Sequence, residues 1–219
     1  YELHGARARF IHEKEIKTRF PRAYGYLLQN KPVLQGREKG KMRGRNWYAY
    51  VYPKNIDVMR SRKILVPDIA ERASFALDDS GAFAFVSGYG IILKAELSES
   101  PKYILGLLNS RVLDFYLKAI STTLRGGFFR YFTQFIERLP IRTIDLFNPA
   151  DKARHDRIVV LVERMLQLNK RKHSGKLAPS QIDRVDREIG ATDEEIDDLV
   201  YDLYAITDEE RKIIEDERS

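Results

Sequence analysis

The sequence predicts an α+β fold: a twisted mixed or antiparallel sheet with a packing helix, followed by a helical C-terminal extension. Three observations carry that expectation. Short β-rich segments separated by turn residues crowd between positions 47 and 93. An apolar stripe at helical spacing follows Ser100-Pro101. After Asn148-Pro149 the pattern turns wholly helical. The natural division is a domain over 1–145 and a helical extension over 146–219.

In chain order, residues 20–36 read as a helix, because Pro21 suits a first turn and Tyr24, Leu27 and Leu28 share a face. Lys31-Pro32 interrupts or ends it. Arg37 to Arg45 is a basic loop with two glycines, Gly40 and Gly44, and Trp47 to Tyr52 reads as an aromatic strand. Lys63–Val66, Ser74–Leu77, Ala82–Val86 and Gly90–Leu93 are further strand candidates, with Asp78–Gly81 as a hairpin turn. Ser100 caps a helix that Pro101 opens, and Leu105, Leu108, Val112, Phe115 and Ala119 give it one apolar stripe over 101–120. Gly126-Gly127 breaks the regular structure, and Phe128, Phe129 and Phe132 read as core. Ile158, Leu161, Met165 and Leu168 form the stripe of a later helix, Arg171–Lys176 is a polar break, and Thr192-x-x-Glu195 and Thr207-x-x-Glu210 are capping boxes that open two short helices.

The totals exclude several classes. The chain has 219 residues, 43% of them hydrophobic, which is enough for a sizeable core. It has no cysteine, which removes disulfides and thiolate zinc sites and fits a reducing cytoplasm. No apolar run approaches the roughly 18 residues of a membrane span. His4, His12, His155 and His173 show no ligand spacing. With Tyr at position 1 and no secretion signal, the chain reads as a piece of a longer protein. Charge is segregated along it: residues 1–70 hold 16 Lys/Arg against 6 Asp/Glu, whereas residues 143–219 hold 13 against 19. One end suits a polyanion and the other does not.

The basic loop is regular. Arg37, Lys39, Lys41, Arg43 and Arg45 occupy alternate positions, so an extended backbone would line them along one edge as a phosphate track. Trp47 keeps their parity, whereas Tyr48, Tyr50 and Tyr52 take the other. Interleaved cations and aromatics suit nucleic acid, and Arg grips guanine in the major groove. A solvated, solubilising loop is the plain alternative. Arg60, Arg62 and Lys63 form a second basic cluster, equally readable as a charged strand edge that blocks aggregation. Arg125, Arg130 and Tyr131 around Gly126-Gly127 form a third, or else a tight turn with a core aromatic. Asn109-Ser110 is expected to make local hydrogen bonds only.

The ordered set Tyr103-Ile-Leu-Gly-Leu-Leu-Asn-Ser110, Leu124-Arg-Gly-Gly127 and Arg138-Leu-Pro-Ile141 resembles the TaqI-like C-terminal specificity domain of bacterial adenine-specific DNA methyltransferases, including the fused type IIG restriction-modification enzymes. It is more distantly similar to the target-recognition domains of type I specificity subunits. Lys63, Ile64, Val66 and Pro67 match the family's strand, and Ile196–Tyr204 followed by Thr207–Glu210 looks like the end of many large methyltransferases of this group. The likeness covers the chain from about Leu27 onward. It implies that this region reads double-stranded DNA and performs no chemistry. The partner would be the catalytic methyltransferase domain of the same polypeptide or complex, and S-adenosylmethionine would be bound there. The Asn/Asp-Pro-Pro-aromatic tetrapeptide that holds a flipped adenine is absent from this sequence. Two rival readings stand beside it: a protein-interaction module that works through the acidic helical tail, and a small nuclease with an unrecognised site, for which Pro67-Asp68 and Glu210-Arg-Lys212 are poor material.

Overall fold

The computed structural model describes residues 1–4 and 7–216. Its architecture is α+β, with small antiparallel sheets and a helical C-terminal region. The chain forms two compact units, Tyr1–Ser61 and Arg62–Ser219. The expected boundary after residue 145 runs through the second unit, where Ile158 and Val200 share a core with Tyr103.

The first unit starts with β1 (Glu2–His4) paired antiparallel to β2 (Arg7–Arg9), followed by α1 (Glu13–Arg19), α2 (Pro21–Gln29) and α3 (Lys31–Gly40). The helix expected over 20–36 is therefore two helices. Asn30 ends the first and Pro32 sits in the opening turn of the second, where a missing N–H costs nothing. Few apolar side chains are buried here: Ile11, Trp47 and Ala49 among the described residues. The expected strand over 47–52 is turn and bend instead.

The second unit holds β3 (Lys63–Val66) between β5 (Ala76–Asp78) and β6 (Tyr89–Ile91), and β8 (Phe128–Arg130) between β4 (Ile69–Ala70) and β7 (Thr123–Leu124). The single sheet of the sequence reading is thus divided among the described residues, and all its ladders are antiparallel. Ala82–Val86 forms no strand, so Asp78–Gly81 is not a hairpin turn. Asp78 instead accepts backbone N–H bonds from Ala82 and Phe83, both at 3.0 Å.

The helix expected over 101–120 is also two, α4 (Pro101–Asn109) and α5 (Arg111–Ile120). Ser100 caps the first as expected, accepting from the Lys102 N–H. Ser110 is extended, closes α4 by donating to the Leu107 carbonyl at 2.7 Å, and opens α5 by accepting from the Leu113 N–H. Asn109 reaches further than local bonding: it holds both the N–H and the carbonyl of Phe75, at 2.9 and 3.0 Å. After the short α6 (Thr133–Ile136) come α7 (Pro149–Lys172), α8 (Pro179–Leu203) and α9 (Asp208–Asp216). Asn148 caps α7, at the helix start expected there, and the Thr207–Glu210 box caps α9 as read. Thr192 lies inside α8 and bonds the Glu188 carbonyl at 2.7 Å, so no helix starts there.

The core of the second unit gathers Ile64, Tyr103, Leu107, Leu113, Leu117, Ile158, Leu161 and Val200, all nearly inaccessible. Helices α4 and α7 touch at Gly106, where an added Cβ would stand 2.9 Å from Val162 Cγ2 and 3.0 Å from Ile158 Cγ2. The acidic helices brace this core. Asp197 of α8 accepts from the Arg111 backbone N–H at 2.8 Å and forms an ion pair with its guanidinium at 2.9 Å. Among the described residues no helix is long and apolar enough to cross a membrane.

Candidate nucleic-acid interface

In the first unit the basic loop does not run extended. Arg37 leaves the helix with ψ 145°, and Glu38, Lys39 and Gly40 then take positive φ of 49°, 56° and 87°. The turn destroys the alternation on which a row of five cations depended. Arg37 points inward, donating to the carbonyls of Leu34, Trp47 and Ala49, each at 2.9 Å. In this conformation it holds the loop. Trp47 is 1% exposed, stands under the Lys31 ammonium and is 3.4 Å from Glu13 Oε1 through its indole N–H, so it too is structural. Tyr48 donates to the Ile11 carbonyl at 2.7 Å.

What remains is a different grouping. Lys41, Arg43 and Arg45 line one open cleft of about 420 Å³ together with Asn46, Tyr1 and Tyr50. Tyr1 and Tyr50 stack in parallel with ring centroids 5.4 Å apart, and Tyr50 stays exposed. Lys41 lies 4.9 Å above the Tyr52 ring. Lys39, Arg43 and Arg45 are exposed, and among the described residues no carboxylate pairs with any of these four cations. Four of the unit's five acids have other partners. Glu2 and Glu15 bind Arg9 and Arg19, with Arg9–Glu15 at 2.7 Å and Arg19–Glu2 at 2.8 Å. Those guanidiniums hold the Glu2 and Glu15 carboxyls down to about 2, Arg19 contributing most to the first and Arg9 most to the second. Glu13 accepts from Tyr24 and Glu38 from Tyr52. Fourteen Lys/Arg against five Asp/Glu leave residues 1–61 at +9. Parity in the sequence had set Tyr50 opposite the cations; the turn brings it beside them.

Arg60 is exposed in this unit as well. In the second unit, Arg62 pairs with Asp79, and Lys63 is 3% exposed and bonded to Asp78 at 2.5 Å. The Lys63 ammonium, foremost, keeps the Asp78 carboxyl below the usual carboxylate range. Lys63 is thus a core ion pair and cannot touch DNA in this conformation. Arg125 is exposed on the β7–β8 turn, which Gly126 and Gly127 make at φ 92° and 80°. Arg130 stacks over Phe132 at 4.9 Å. Tyr131 is fully buried and donates to Asp114 at 3.1 Å; burial drives its hydroxyl well above its ordinary range. It is core, whereas Phe128, expected inside, is exposed.

Residues 11–141 match the family described as the TaqI-like C-terminal specificity domain. The chain is 32% identical over 152 residues to the type II methyltransferase M.BanIII of Aneurinibacillus aneurinilyticus, covering 68% of the chain and 25% of that protein. It is 29% identical over 169 residues to the type II restriction enzyme and methyltransferase RM.Eco57I of Escherichia coli, covering 72% of the chain and 17% of that protein. It is 22% identical over 197 residues to the type II methyltransferase M.BstVI of Geobacillus stearothermophilus, covering 90% of the chain and 29% of that protein. The chain spans less than a third of the length of each of these relatives.

Proposed function

The chain belongs to the family of TaqI-like C-terminal specificity domains, and on that premise we propose that it is the target-recognition part of an adenine-specific DNA methyltransferase or fused restriction-modification enzyme. The observation that carries the DNA reading is the first unit's cleft. Lys41, Arg43 and Arg45 converge on one concavity with exposed tyrosine beside them and, among the described residues, no carboxylate ion-paired to them. Such cations are available to phosphates without first breaking an ion pair, and their binding releases counterions. Phosphate contacts of this kind fix orientation, and other side chains read base edges. Arg60 and Arg125, both exposed, are secondary candidates.

Methyl transfer belongs, in this proposal, to a catalytic domain outside the chain. The residues here do not fit S-adenosylmethionine. The Ser87-Gly-Tyr-Gly90 glycines lead into strand β6 and not into a helix N-terminus, and the Phe85 ring lies 3.1 Å from the position of a Cβ on Gly90. Nothing in the chain is therefore assigned a chemical step.

The test is selection of duplexes from a randomised library, with affinity measured at two salt concentrations. The expected result is an enriched short motif and a steep salt dependence. In the Arg43→Ala/Arg45→Ala variant affinity falls, the salt slope shrinks by about 2, and the melting temperature holds. Unchanged affinity in that variant would sink the reading.

A further inference from the structure

The loop between β5 and β6 is fixed at both ends. At its start, Asp78 accepts from the N–H groups of Ala82 and Phe83, both at 3.0 Å, while its charge partner, Lys63, is buried with it. At its end, Ser87 donates to Asp68, and Gly88 turns at φ 89° where a Cβ would meet the Val66 carbonyl oxygen at 2.4 Å. Between these anchors runs Ala82-Phe-Ala-Phe-Val86. Phe85 packs inward over Gly90, but Phe83 is 63% exposed and Val86 is completely exposed. A lone exposed apolar residue needs no explanation. A run tethered at both ends that leaves two bulky side chains in solvent does.

We infer that this loop reads thymine: Phe83 and Val86 make apolar contact with thymine methyl groups in the major groove of the duplex. The inference rests on the DNA-binding reading above. Loop side chains from Ala82 to Val86 carry no hydrogen-bond donor or acceptor, so they cannot recognise the polar edge of any base. The feature of a groove edge that matches them is the thymine 5-methyl.

The test uses the duplex selected by the chain, remade with deoxyuridine replacing each thymine in turn. Loss of a contacted methyl weakens the wild type about four-fold, the equivalent of one buried methylene. Phe83→Ala, or Val86→Ala at a neighbouring position, abolishes that discrimination and binds the deoxyuridine duplex as the wild type does. Both substitutions lie on exposed side chains, and thermal melting of each variant checks that the fold is intact. Wild-type indifference to every deoxyuridine replacement overturns the inference, as does a Phe83→Ala/Val86→Ala variant that still distinguishes the two bases. Equal weakening on both duplexes overturns it too, and marks the loop as a general anchor. Each of these outcomes leaves the DNA reading intact if Arg43→Ala/Arg45→Ala weakens both duplexes alike. If no duplex is bound at low salt, that reading fails and this inference with it.

Discussion

In residues 1–61, 14 Lys/Arg meet five Asp/Glu, and among the described residues the cations of the 39–45 loop form no ion pair. In residues 62–219, 24 meet 27, and the charges nearest the core are consumed internally: Lys63 by Asp78, Arg111 by Asp197, Lys118 by Asp114. The apolar side chains divide the other way. Among the described residues the first unit buries three and the second buries the rest. The difference shows two uses of one residue type. A cation buried beside a core must have its partner, or desolvation leaves an uncompensated charge. A cation meant for an external anion works best without one, since an existing ion pair would have to break first.

The comparison breaks first in the core of the second unit. Leu107→Ala, at a fully buried position, is expected to cost about 2–5 kcal/mol in denaturant unfolding, and a cost near zero would deny α4 its central place. Gly106→Ala is expected to cost about 1–3 kcal/mol, because its Cβ would press on Val162 and Ile158.

Within the first unit the same residue type should divide in two. Arg37→Ala removes three bonds to backbone carbonyls and is expected to destabilise by about 1–3 kcal/mol. Arg43→Ala should stay within about 0.5 kcal/mol of wild type while weakening duplex binding. Equal stability losses for the two would erase the distinction between a holding and a waiting arginine.

Acid offers a gentler probe. Glu2 and Glu15 titrate near 2 in the fold against an ordinary 4.5, so their contribution is complete above 4.5 and is lost as pH falls from there to about 2. The single tryptophan, Trp47, lies in this unit, and its fluorescence should report the loss. Arg9→Ala should flatten that pH dependence; an unchanged profile would mean the Arg9–Arg19 network contributes nothing.

Much of the fold was readable from local pattern. The strand Lys63–Val66, the caps at Ser100, Asn148 and Thr207, and the polar break before α8 all stand where periodicity and capping chemistry put them. Each failure has its own physical cause. The cation row needed an extended backbone, and three successive positive φ angles removed it. Thr192-x-x-Glu195 has the letters of a capping box, but a threonine inside a helix can bond its own preceding turn, and here it does. The single helix over 101–120 divided because Ser110 can close one helix and open the next without interrupting the apolar stripe.

The sequence by itself determined the α+β class, the family, the separation of a basic front from an acidic rear, and the helix starts. Each of those rests on residues within a few positions of one another or on composition. Tertiary structure alone decided which of the singled-out side chains face solvent. Arg37 meets Trp47 ten residues away, Lys63 meets Asp78 fifteen away, and Tyr131 meets Asp114 seventeen away. Whether a cation or a tyrosine is spent inside the fold or left for a ligand depends on partners brought together by chain reversal, and no local pattern encodes that reversal.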